Sequence, residues 1–256
     1  MRKRQKFVLS SILLCGGLLG AQFASLEWRY WLVLGLTAFS WFLSAWSLRE
    51  GLSGIEWLTA LMPPVLFTGA VGLFYILLPQ AWWAKVMIVF LFGVGQYALL
   101  LSANIFSVAA IRTIALLRAA HAVGFVMTLL TGFFLYNTIL SLRLPFWWQG
   151  LMVMVASALL LLPALWSVEL PERISVEIWR FSLGLGWNLG WLAVAIAFWP
   201  ISLAVASLFL TTGLYVFLGI AQNYFSRRLF PRTVMEYVVV GVVVLVTMLV
   251  TSAWGV

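Results

Sequence analysis

Few side chains in this chain of 256 residues are of a type that could do chemistry. Its seven acids are all glutamate, and it has one histidine, His121, and one cysteine, Cys15. A zinc or di-iron centre needs three or four His, Cys or carboxylate ligands in one place, and Mg-dependent transfer to or from a polyprenyl diphosphate needs several carboxylates on the metal. Aspartyl chemistry needs two close acids that split their pKa values. None of these sets is visible, so no metal centre and no cofactor are expected. A serine–histidine pair is formally open through His121, but no G-x-S-x-G elbow surrounds any serine. Lys3 and Lys6 sit in the N-terminal tail and Lys85 at a helix end, which excludes a Schiff base in mid-membrane. A lone histidine with no carboxylate to orient it is a poor general base, and an enzyme is not expected.

Polar side chains inside hydrophobic segments are costly, so each is a candidate for binding. Arg118, His121, Phe125, Thr128 and Gly132 fall on one face of a helix by spacing, with the two basic groups at one end. That stripe could receive an anionic lipid headgroup. In the competing reading Arg118 snorkels to the interface and His121 satisfies a carbonyl on a neighbouring helix. Gln96 shares a face with Gly93, Ala103 and Ser107, and Asn188 with Gly184, Trp191 and Ala195. An amide among small residues suits hydrogen bonding across a close helix contact. Gly16-x-x-x-Gly20, Ser40-x-x-x-Ser44 and Gly186-x-x-x-Gly190 are further pairs of that kind. Arg232 and Glu236 are spaced for an i,i+4 ion pair, and Arg227, Arg228 and Arg232 form a basic cluster that could meet anionic lipid.

The elements that must position these groups are membrane helices. The chain is 64% hydrophobic and 9% charged, with a mean hydropathy of +1.10, far from the composition of a soluble domain. A span needs about 20 apolar residues. Nine runs qualify: Phe7 to Ala24, Tyr30 to Leu48, Ile55 to Leu78, Ala84 to Ala103, Ala119 to Leu140, Phe146 to Trp166, Phe181 to Trp199, Ile201 to Ile220 and Thr233 to Ala253. The expected fold is an all-α integral membrane protein, one polytopic bundle over residues 1–256. Basic loops stay on the cytoplasmic side. With the tail Arg2-Lys3-Arg4-Gln5-Lys6 inside, twelve basic residues fall inside and three, Arg29, Lys85 and Arg143, outside. Trp28, Trp31, Trp82, Trp83, Trp147, Trp148, Trp199 and Trp254 fall at expected outer ends, and Trp46, Trp57, Trp166 and Trp179 at inner ends, where indole rings prefer to lie. Trp41, Trp187 and Trp191 lie deeper, as packing or cavity residues.

Several joints need a decision. At Trp199-Pro200 two spans meet with almost no loop; a continuous helix would be about 60 Å long, so a tight turn is expected, with Pro200 in the first turn of the next helix. A re-entrant element there would move the C-terminus to the other side. Residues 168–180 read either as an interfacial helix, with Glu169, Arg173 and Glu177 at i,i+4, or as a capped extension of the next span. The basic tail and first apolar run resemble a signal peptide, but no cleavage site is found and an uncleaved helix with a packing Cys15 is expected. No internal repeat is apparent.

The sequence therefore reads as a non-catalytic protein of a bacterial-type cytoplasmic membrane that accommodates a lipid or partner helices, as a complex subunit or homo-oligomer. The alternative is a small transporter or lipid flippase with a cavity near Arg118 and His121, lined also by Gln96 and Asn188. The +8 charge is accounted for by topology, and no nucleic acid is expected.

Overall fold

The computed structural model describes residues 3–78, 81–109 and 116–252. Among them every regular element is a helix: α1 (Lys3–Ala21), α2 (Leu26–Leu48), α3 (Glu56–Thr59), α4 (Met62–Leu77), α5 (Trp82–Ala109), α6 (Leu117–Ser141), α7 (Phe146–Glu169), α8 (Val176–Ile196), α9 (Leu203–Phe225) and α10 (Pro231–Val250). Among the described residues seven stretches are long and apolar enough to cross a membrane: Glu27–Leu48, Glu56–Leu77, Trp82–Ala109, Leu117–Ser141, Phe146–Glu169, Leu203–Phe225 and Pro231–Val250. The protein is an all-α polytopic membrane protein. Eight of the nine expected runs fall on one helix each, and the third falls on two. The two outside the seven are α1 and α8, whose first turns carry Lys3, Arg4 and Lys6 and Glu177 and Arg180, so part of their length is polar. Arg2, Arg112 and Trp254, which enter the topology argument, lie outside the described residues.

The sequence reads as one domain, but the helices gather into two compact units. The first takes Met1–Thr131 with Leu170–Arg173, the second Gly132–Glu169 with Ile174–Val256. In the first unit α1 packs on α2 and α5, and α2 and α5 both pack on α4. Phe7, Leu48, Leu61 and Leu100 form a buried cluster there. In the second, α7 and α8 make the most extensive pair, and α9 packs on α7, α8 and α10.

Three boundaries differ from the sequence expectation. The third run is broken: α3 ends at Thr59, and α4 starts at Met62 with prolines in its first turn, where a missing N–H costs no helical bond. The interfacial helix over residues 168–180 does not form, because α7 ends at Glu169, Leu170 adopts φ +50°, and α8 starts only after Ser175, whose side chain accepts from Ile178 N–H. The capped-extension reading is the one realised, and Glu169, Arg173 and Glu177 do not share a helix. At Trp199-Pro200 the chain turns tightly, with Ile201 N–H donating to Trp199 O at 2.9 Å, and α9 packs back on α8. Pro200, however, precedes the N-cap Ser202 instead of sitting in the first turn of α9.

Of the described tryptophans expected at an interface, one is buried in the protein. Trp166 is only 1% exposed and is a core side chain of the second unit. Of Trp41, Trp187 and Trp191, expected to be packing or cavity residues, all three are exposed, and Trp187 and Trp191 line a cleft in the second unit.

Candidate functional site

Gln96 sits in the middle of α5, where an apolar face carries it inward until it is 0% exposed. Its Nε2 donates to Ser40 Oγ on α2 at 3.4 Å, and its Oε1 lies 3.5 Å from Thr68 Oγ1 on α4. Thr68 in turn donates to Pro64 O at 2.8 Å and lies 3.0 Å from Ser40 Oγ. Three helices are thus joined by side chains that would each be costly alone in an apolar interior. This is the packing role expected for Gln96 and for Ser40.

The stripe on α6 starts with Arg118 in its exposed first turn. One turn on, His121 stacks on Phe106 of α5 with ring centroids 5.4 Å apart, and Thr128 Oγ1 donates to Gly124 O of its own helix at 2.8 Å. Arg118, His121 and Thr128 therefore lie along one helix, while Gln96 is held among α2, α4 and α5. Asn188 belongs to the second unit, is exposed, and donates to Gly184 O one turn back at 2.7 Å. In the basic cluster Arg227, Arg228 and Arg232 are all exposed, and Arg232 Nε lies 3.5 Å from Glu236 Oε1, the pair expected from the spacing. Arg227 takes φ +53° and closes the end of α9, with its N–H on Tyr224 O and the Arg228 N–H on Asn223 O.

Three groups passed over in the sequence emerge here. Glu56 is 4% exposed and accepts Ser53 N–H at 3.0 Å. The signal was the Ser53-x-x-Glu56 spacing, the carboxylate half of a capping box. Asn137 donates to Ser207 Oγ at 3.3 Å, and the Tyr136 and Ser157 hydroxyls lie 2.8 Å apart, both inside the second unit. Their signal was a polar pair inside a span.

Close helix contact is sharpest between α7 and α8. A Cβ on Gly186 would lie 2.9 Å from Met154 O, and one on Gly190 2.8 Å from Gly150 O. Beside this contact opens a cleft of about 220 Å³ lined by Phe146, Trp147, Met154, Trp187 and Trp191. A second cleft, of about 500 Å³, lies between α1 and α5 and is lined by Val8, Ile12, Cys15, Val86 and Phe90. Cys15 packs at Gly93 and donates weakly to Val89 O at 3.5 Å. Among the described residues no group of three or more His, Cys, Asp or Glu side chains could hold a metal ion.

A family model described as "Protein of unknown function (DUF5656)" matches residues 12–251. No curated protein and no solved structure matches the chain.

Proposed function

We propose that this chain, which belongs to the family described as "Protein of unknown function (DUF5656)", is a non-catalytic membrane component that holds an acyl chain or a partner helix in apolar clefts. The observation that carries this reading is the pair of clefts at α7/α8 and α1/α5, lined by aliphatic and aromatic side chains. Gly150, Gly190 and Gly93 bring the neighbouring helices together beside the clefts, and dispersion contacts with the apolar walls favour an apolar occupant. Polar side chains in the spans support the same reading, because Gln96, Asn137 and Gln222 donate to neighbouring helices and Asn188 to its own. In this reading the basic N-terminal tail and the Arg227, Arg228 and Arg232 cluster lie on the cytoplasmic side of a bacterial-type membrane, next to anionic headgroups.

The carrier alternative makes a different prediction. A transporter or flippase working through Arg118 and His121 would lose flux when Arg118 is replaced by alanine. Proteoliposomes containing the wild-type chain are expected to scramble a fluorescent phospholipid no faster than protein-free vesicles. Scrambling well above that background, abolished by Arg118→Ala in a folded protein, would replace the component reading with the carrier. Turnover of a lipid-linked substrate by the purified chain would replace it with an enzyme.

A further inference from the structure

Past the basic tail, every other described asparagine or glutamine is buried or half-buried in the protein, and Asn188 alone is exposed. What it is exposed to follows from the course of α8. Gly190 meets Gly150, and Gly186 meets Met154 and Ala158, so α7 and α8 run antiparallel in close contact. α7 is long and apolar enough to cross a membrane, and α8 follows it through the same layer. Asn188 stands eight residues before the end of α8 at Ile196, about 12 Å along the axis, which places it in hydrocarbon. Among the described residues its amide makes one hydrogen bond, from Nδ2 to Gly184 O at 2.7 Å. A second N–H and the acceptor Oδ1 are left facing acyl chains, which can answer neither. The surface around the amide is open. Nothing lies within 4 Å of a Cβ built at Gly184, and Ala195, two turns on along the same face, is exposed as well. A neighbouring helix can therefore come close to the backbone. α10 is also largely exposed, but its face is mostly valine, for which lipid suffices.

We propose that a second copy of this chain docks on the Gly184, Asn188 and Ala195 face of α8, with the two Asn188 side chains meeting at a twofold axis. An amide carries both a donor and an acceptor, so two copies complete each other: each Nδ2 gives its second N–H to the Oδ1 of the other copy. Copies inserted with the same sidedness are related by an axis along the membrane normal, which brings the same residue of both helices to the same depth. A different partner would need a polar group placed at that depth, whereas a second copy carries one by construction. Lipid offers the amide neither donor nor acceptor there. The α7/α8 cleft lies on the adjoining side of α8, at Trp187, Gly190 and Val194, so the proposal does not rest on what occupies that cleft.

The test uses the full-length chain on a Cys15→Ser background, labelled at Arg143→Cys and reconstituted into phospholipid vesicles over a range of protein-to-lipid ratios. Single-molecule photobleaching counts the copies in each particle. The parent chain is expected to dimerise and to dissociate on dilution with lipid, and Asn188→Leu to weaken the dimer about tenfold. Gly184→Leu should weaken it too, by holding the two backbones apart. Gly16→Leu, at an equally open glycine of α1, should dimerise as the parent does. Without the label, Ala195→Cys is expected to form a disulfide between copies on oxidation, and Val246→Cys, at an exposed position of α10, is not. A chain that stays monomeric at every ratio overturns the proposal. So does a dimer unmoved by both Asn188→Leu and Gly184→Leu, because another face then holds it. Should Asn188→Leu fail to fold, Gly184→Leu and the Ala195→Cys disulfide decide. A monomer that retains lipid in native mass spectrometry overturns the second copy and leaves the component reading standing.

Discussion

Glycine on α8 shows how far a residue's role can be read from its spacing. Gly186 and Gly190 sit four apart and both meet the backbone of α7 below 3 Å, whereas nothing lies within 4 Å of a Cβ built at Gly184 on the same helix. Gly190→Ala is therefore expected to lower stability by about 1–3 kcal/mol, since a backbone oxygen cannot yield as a flexible side chain can. Gly184→Ala should be neutral or raise stability by roughly 0.5–1 kcal/mol by removing a helix-interior glycine. Denaturant or thermal unfolding in one detergent compares them, and equal effects would contradict the close-contact reading. Gly16-x-x-x-Gly20 has the same spacing, yet nothing lies within 4 Å of either position. Spacing identifies a face of a helix, but not which neighbour arrives at it. The same limit explains Trp166, which looks like an interface tryptophan in sequence and is a core residue. Gln96 was legible, because an uncharged amide in a span has few uses other than a bond to another helix. Gln96→Leu is expected to cost about 0.5–2 kcal/mol, while Asn188→Leu, whose amide reaches only its own helix, should cost less.

Helices were legible wherever twenty apolar residues run between charges; their ends depend on local chemistry that hydropathy does not weigh. The break between α3 and α4 falls inside one uniformly apolar run and is marked only by Pro63 and Pro64, and the end of α7 by Leu170 in a left-handed conformation. Outside the spans, the start of α1 is tied to the loop after α2, with Lys6 Nζ donating to Glu50 Oε1 at 2.8 Å and Lys3 Nζ 4.0 Å from Oε2. The hydrogen bond and positive charge of Lys6 hold the Glu50 carboxyl below its ordinary pKa. Because the folded pKa is the lower one, this tether contributes fully above the ordinary carboxylate range and is lost as pH falls through the lowered value. Glu50 is exposed, so the effect is small and screened by salt. Wild type is expected to melt slightly above Glu50→Gln at neutral pH and low salt, and equally with it in acid; an offset that persists in acid would exclude the carboxylate as its origin.

For the whole molecule, composition alone shows that a membrane surrounds the chain, whereas its division into two units depends on which helices meet and could not be read from any single segment. Nine crossings with the basic tail inside make a specific prediction about sidedness. On a Cys15→Ser background, single cysteines at Arg4 and Arg228 should react with an impermeant maleimide only from the cytoplasmic side, and one at Arg143 only from the other. If α1 or α8 lies along the surface instead, Arg4 or Arg228 changes side relative to Arg143. In the proposed reading the clefts at α7/α8 and α1/α5 hold an apolar occupant. The most direct measurement is native mass spectrometry of the protein extracted gently from its own membrane. A retained lipid or a bound partner chain is the expected result. A bare monomer, folded and free of both, would contradict the component reading.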